Sequence, residues 1–106
     1  LKLVARSIQQ ELRATDIVAR YGGDEFVAVL PETDRVHAQD VAQRIVETIS
    51  HVPLRFRGET LTTSVSAGIA SYPEDGRTID NLMLRADSAM YRAKQAGGNR
   101  VASASD

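Results

Sequence analysis

The chain has 106 residues, 42% of them hydrophobic and 25% charged, which is the usage of one ordinary globular domain or part of one and excludes disordered and fibrous classes. A formal net charge of −1 lacks the basic excess of a general nucleic-acid binder, and the absence of cysteine excludes disulfides and thiolate metal sites. No apolar run approaches the roughly 20 residues that span a bilayer and no signal peptide is recognisable, so the expectation is a cytoplasmic domain that makes no membrane contact itself. Leu1 stands where Met would open a complete chain and already belongs to a helical pattern, so a fragment is expected.

Leu1, Val4, Ala5, Ile8 and Leu12 recur at helical spacing opposite Lys2, Arg6, Gln9 and Arg13, which predicts an amphipathic first helix. Ile17 to Tyr21 and Glu25 to Leu30 are β-prone runs on either side of a glycine pair, the pattern of a tight hairpin. A second helix follows from about Val36 to Ile49, with Ala38, Val41, Ala42, Ile45 and Ile49 inward and Thr33 or Asp34 as its cap. Leu54 to Arg57, a turn at Gly58-Glu59 and a long return strand from Leu61 to Ala70 make a second hairpin.

Thr78 caps a third helix with Asp80 in its first turn; Ile79, Leu82, Ala86, Ala89, Met90 and Ala93 form its buried face, and Gly97-Gly98 ends it. Arg100 to Ala102 makes a last short strand, and residues 103–106 a polar tail. The order describes an α/β sandwich with helices on a mostly antiparallel sheet. Phe26 and Tyr91 fall on apolar faces and are expected in the core, while His37 and His51, far from any cluster of ligand-type residues, are expected at the surface or at helix ends.

The segment Arg20-Tyr21-Gly22-Gly23-Asp24-Glu25-Phe26 carries the chemistry. Two glycines at a hairpin tip leave no side chains above the backbone, so phosphates can approach closely. Two carboxylates follow at once, and oxygen ligands of this kind suit magnesium bridging to substrate phosphates. A glycine turn followed by solvated acids would read the same over three residues.

The match is longer than that motif. Together with Thr63-Ser64-Val65-Ser66-Ala67-Gly68-Ile69-Ala70, and with Ala86-Asp87, Ala89-Met90-Tyr91 and Ala93-Lys94 leading to Gly97, Asn99 and Arg100, the chain resembles the GGDEF family of diguanylate cyclases from Leu1 to about Val101. The resemblance implies a nucleotide-cyclase palm-like fold lacking its first strand. It also implies an enzyme that condenses two GTP molecules into cyclic di-GMP and two pyrophosphates, as a homodimer holding one GTP per domain.

On that resemblance Gly22 and Gly23 make room for GTP and Lys94 contacts its phosphates. Asp24 is a magnesium ligand, and Glu25 is a second ligand or helps to deprotonate the attacking hydroxyl, so both are catalytic candidates. Arg13 and Asp16 match an Arg-x-x-Asp product-inhibition site, which Arg44 completes. Gly98 stands where many relatives carry a phosphate-binding arginine, and Arg100 nearby is not assumed to replace it. The strand and segment that in the family carry the first metal-binding aspartate and the guanine-recognising residues are expected to precede Leu1, so this polypeptide alone is expected not to turn over. The alternative function is a catalytically silent domain that binds cyclic di-GMP or GTP and regulates an attached module.

Overall fold

A computed structural model describes residues 2–22 and 25–105; Leu1, Gly23, Asp24 and Asp106 lie outside the described residues. In chain order the elements are α1 (Lys2–Gln10), β1 (Ile17–Gly22), β2 (Glu25–Val29), α2 (Arg35–Ser50), β3 (Pro53–Phe56), β4 (Glu59–Thr62), β5 (Ala67–Ile69), α3 (Ile79–Gln95) and β6 (Val101–Ser103). Two antiparallel hairpins, β1–β2 and β3–β4, and a parallel pair, β5–β6, form three separate two-stranded sheets. β2 and β5 are not hydrogen-bonded neighbours.

The helices begin where short polar side chains satisfy free backbone N–H groups. Asp34 Oδ1 accepts from His37 N at 2.9 Å to open α2, which settles the cap on Asp34 rather than Thr33. Thr78 Oγ1 accepts from Asn81 N at 3.2 Å to open α3, and Asp80 lies in its first turn as expected. His37 meets Asp34 and His51 caps the C-terminus of α2, both exposed, as their isolation in the sequence predicted. Beyond Gln95 the chain turns through Gly97 at φ +121° and Gly98 at φ +74°, conformations that a β-carbon disfavours.

The core is built from Ile8 of α1, Ala42, Val46 and Ile49 of α2, and Ala89 and Ala93 of α3. Val46, 2% exposed, is a core residue that the expected inward set of α2 omitted; burying such a side chain is worth about 1.5–3 kcal/mol. α1 packs on α2, while β5 and β6 are packed against both α2 and α3.

Four expectations need correction. The return strand Leu61 to Ala70 is not continuous: β4 ends at Thr62, residues 63–66 form no ladder, and β5 then pairs in parallel with β6. The turn of the second hairpin sits one residue earlier than expected, at Arg57-Gly58. Both are at positive φ (+51° and +81°), as a two-residue loop between right-twisted strands demands. Tyr91 is 62% exposed and Ile79 69% exposed, so neither belongs to the buried face of α3. The small residues Ala89 and Ala93 are the ones buried there, where α3 lies close to β5. Phe26 is half-buried.

Candidate functional site

The glycine-and-acid motif begins at the end of β1 and resumes at the start of β2. The ladder of the β1–β2 hairpin pairs Ile17 with Val29, Val18 with Ala28, Ala19 with Val27 and Arg20 with Phe26, then jumps so that Gly22 faces Glu25. Tyr21 is the extra residue, a bulge just below the tip, and bulges re-aim the side chains that follow them. At Gly22 an added β-carbon would meet no atom of the described residues within 4 Å. Glu25 leads β2, exposed, and makes no ion pair among the described residues. Gly23 and Asp24, the other two candidates of this turn, lie outside the described residues.

The base of the same hairpin holds the best-connected polar cluster. Arg13 Nη2 lies 3.1 Å from Asp16 Oδ1 and Arg13 Nε 3.4 Å from Oδ2, while the backbone N–H of Arg13 donates to Oδ2 at 2.8 Å. The same Nη2 donates to the Pro31 carbonyl at 3.0 Å and to Thr33 Oγ1 at 2.7 Å. The turn before β1 is thereby tied to the loop after β2. Arg13 keeps 58% of its side chain exposed, whereas the Asp16 side chain is 3% exposed beneath it. Pro31 and Thr33 lie 18 and 20 residues from Arg13, and local spacing gave no sign that they join it.

The Arg13 side chain, and after it the Arg13 backbone N–H, hold the Asp16 carboxyl below its ordinary value of 3.8. A carboxyl depressed on folding adds stability above its ordinary value and loses that contribution as pH falls through the lowered native value. Going from about pH 5 to about pH 3, wild type is therefore expected to lose more thermal stability than Asp16→Asn, in parallel acid melts. Equal losses would mean that Arg13 and Asp16 do not interact in solution.

Arg44, exposed on α2, pairs through Nε with Glu11 Oε2 at 3.3 Å, and Glu11 Oε1 accepts from Thr48 Oγ1 at 3.2 Å. Arg44 thus bonds to a residue two positions before Arg13 rather than to Arg13 or Asp16. Lys94 stands exposed in the last turn of α3, a position where the free carbonyls favour a cation, with no ion pair among the described residues. The helix that carries it packs chiefly on β5 and β6. Arg100 Nε donates to the Gly98 carbonyl at 3.1 Å, which keeps a guanidinium at the glycine turn after Lys94.

A second pin has no local signal in the sequence. Asp75, buried between β5 and α3, accepts from Ser71 N at 2.8 Å through Oδ2, and its Oδ1 lies 3.5 Å from Arg35 Nη2 at the start of α2. Among the described residues no three acidic or histidine side chains gather into a metal-binding cluster, and no helix is long and apolar enough to cross a membrane.

Comparison with known proteins agrees with this geometry. Residues 1–100 match the family model described as diguanylate cyclase, GGDEF domain. The chain is 39% identical over 101 residues to the diguanylate cyclase DgcP of Pseudomonas aeruginosa, covering 95% of this chain and 15% of that protein. The solved GGDEF domain of YfiN (TpbB) from Pseudomonas aeruginosa superposes with a TM-score of 0.90 at 38% identity, covering 96% of this chain and 60% of that one. The GGDEF domain of DgcB from Caulobacter crescentus, solved in complex with c-di-GMP, gives a TM-score of 0.89 at 32% identity, covering 97% of this chain and 61% of that one. The chain thus spans only about a seventh of the length of DgcP. With its glycine-and-acid hairpin, its order of elements and a match over nearly its whole length, the chain belongs to the GGDEF-domain family.

Proposed function

We propose that the protein carrying this domain is a diguanylate cyclase, joining two GTP molecules into cyclic di-GMP with release of two pyrophosphates. The observation that carries the reading is the β1–β2 hairpin, where no described atom crowds Gly22 and the return strand starts with an exposed Glu25 that makes no ion pair among the described residues. The ribose 3′-oxygen of one GTP attacks the α-phosphorus of the other. The bond from that phosphorus to the oxygen bridging the β-phosphate breaks, pyrophosphate leaves with the bonding pair, and the hydroxyl proton passes to Glu25 or to water. The same exchange in the other direction closes the ring, which requires two domains face to face, each holding one GTP.

In such a transfer the protein contributes position and charge rather than covalent chemistry. Gly22 and Gly23 leave room for the phosphates, and Lys94 takes part of their charge. An exposed carboxylate next in sequence to a second one fits a hard divalent cation, so Glu25 with Asp24 would hold magnesium. When bound, that ion offsets charge on the transferred phosphate. Arg13, Asp16 and Arg44 form the site that binds the product, a reading supported by the DgcB domain having been solved with c-di-GMP.

One feature favours the second reading, a silent domain that binds cyclic di-GMP or GTP for an attached module. Gly98 supplies no side chain where the family resemblance places an arginine in many members, although Arg100 stays at that turn. Incubating the dimerised full-length protein with GTP and magnesium, and separating the products by chromatography, is expected to give cyclic di-GMP and pyrophosphate, and chelation of the metal is expected to stop both. No cyclic dinucleotide from the dimer would leave the silent reading in its place.

A further inference from the structure

A guanidinium offers its five N–H donors in two forks. One runs along the side edge, from Nε–H and one Nη2–H; the other lies across the end, from the second Nη2–H and one Nη1–H. In Arg13 the side edge is taken by Asp16, with Nε to Oδ2 at 3.4 Å and Nη2 to Oδ1 at 3.1 Å. The second Nη2 hydrogen meets Thr33 Oγ1 at 2.7 Å, with the Pro31 carbonyl at 3.0 Å. Thr33 donates its own hydrogen to Pro31 at 2.9 Å, which turns a hydroxyl lone pair toward Arg13. Among the described residues only Nη1 is left without a partner. A phosphate or guanine edge that takes Arg13 by two parallel bonds therefore meets one fork filled by Asp16 and the other half filled by Thr33.

We propose that Thr33 is an affinity-determining residue of the product site: its hydroxyl is the internal acceptor that a cyclic dinucleotide displaces from Arg13. This rests on the reading of Arg13 and Asp16 as that site. Asp16 is not the group displaced, because it is charged, buried and also holds the Arg13 backbone N–H at 2.8 Å. A neutral hydroxyl on an exposed loop yields to an anionic phosphate oxygen, whose bond to the guanidinium is charge-assisted. Thr33 adds little to the orientation of the guanidinium, since the paired contacts to Asp16 already set its plane. Its removal leaves the second Nη2 hydrogen with the Pro31 carbonyl alone, at the longer distance of 3.0 Å, so the donor is held less firmly at small cost in preorganisation.

Calorimetric titration of cyclic di-GMP into the chain and three variants tests this. Thr33→Val keeps the side-chain shape without the acceptor and is expected to bind about three- to tenfold more tightly, the net worth of one hydrogen bond. Thr33→Ser keeps the hydroxyl and is expected to match wild type. Arg13→Ala is expected to bind roughly tenfold or more weakly. Affinity lost in Arg13→Ala but unchanged or weakened in Thr33→Val would overturn the role of Thr33 and leave the site standing. Equal binding by wild type and Arg13→Ala, or none by wild type, would overturn the product site and the role of Thr33 with it.

Discussion

Glu25→Gln in the full-length protein is expected to lower the rate of cyclic di-GMP formation by at least about a thousandfold, while the thermal midpoint stays where it is in wild type. A charged ligand or base at a phosphoryl-transfer centre supplies several kcal/mol of stabilisation present only in the transition state, and each ~1.4 kcal/mol is a factor of ten. Glutamine keeps the length and one oxygen but neither the charge nor the basicity. The fold does not depend on that charge: Glu25 joins the ladder through its backbone, opposite Gly22, and its exposed carboxylate makes no ion pair among the described residues. Substitutions at such positions usually change stability by less than about 0.5 kcal/mol. Glu59 provides a matched control, because it too is an exposed glutamate at the first position of a strand. Product formation by Glu59→Gln should equal wild type under the same GTP and magnesium. A Glu25→Gln enzyme within tenfold of wild type would reduce Glu25 to a solvated acid beside a glycine turn.

Features set by neighbours in sequence were legible before the fold. Thr78 with Asp80 opens α3, and Gly97-Gly98 follows its end, because caps and helix stops act over three or four residues. The β1–β2 hairpin was legible for the same reason, as was the pairing of Arg13 with Asp16 across one turn. What failed needed knowledge of distant partners. Leu61 to Ala70 alternates well enough to suggest one long strand, yet a strand exists only where another offers its backbone, and β5 finds that partner in β6, more than thirty residues on. Helical periodicity gives the direction of the α3 face but not its width, so it places Tyr91 and Ile79 inward although the helix buries a narrow stripe of alanines. The same limit hid Thr33 and Pro31 from Arg13 and Asp75 from Arg35.

That narrow stripe has a consequence at Gly68, where an alanine is expected to destabilise the domain by at least about 3 kcal/mol, the upper part of the range for overpacking. A β-carbon built there would run into the Ala86 carbonyl oxygen and the Met90 backbone nitrogen, and would come within 2.9 Å of Met90 Cα. All three are main-chain atoms of α3, so no rotamer change relieves the clash, and the helix must move off β5. Moving it opens the packing around Ala89 and Ala93, both fully or almost fully buried. In a domain of this size, 3 kcal/mol corresponds to a fall in thermal midpoint on the order of 15 °C, a large share of the usual margin. Gly58→Ala separates this effect from the general cost of replacing glycine. Gly58 is at φ +81° with no atom within 4 Å of an added β-carbon, so alanine there meets conformational strain alone, about 1 kcal/mol. Circular-dichroism melts of the two variants beside wild type give the comparison. If Gly68→Ala melts no lower than Gly58→Ala, then α3 does not lie against β5 as closely as the contacts at Gly68 require.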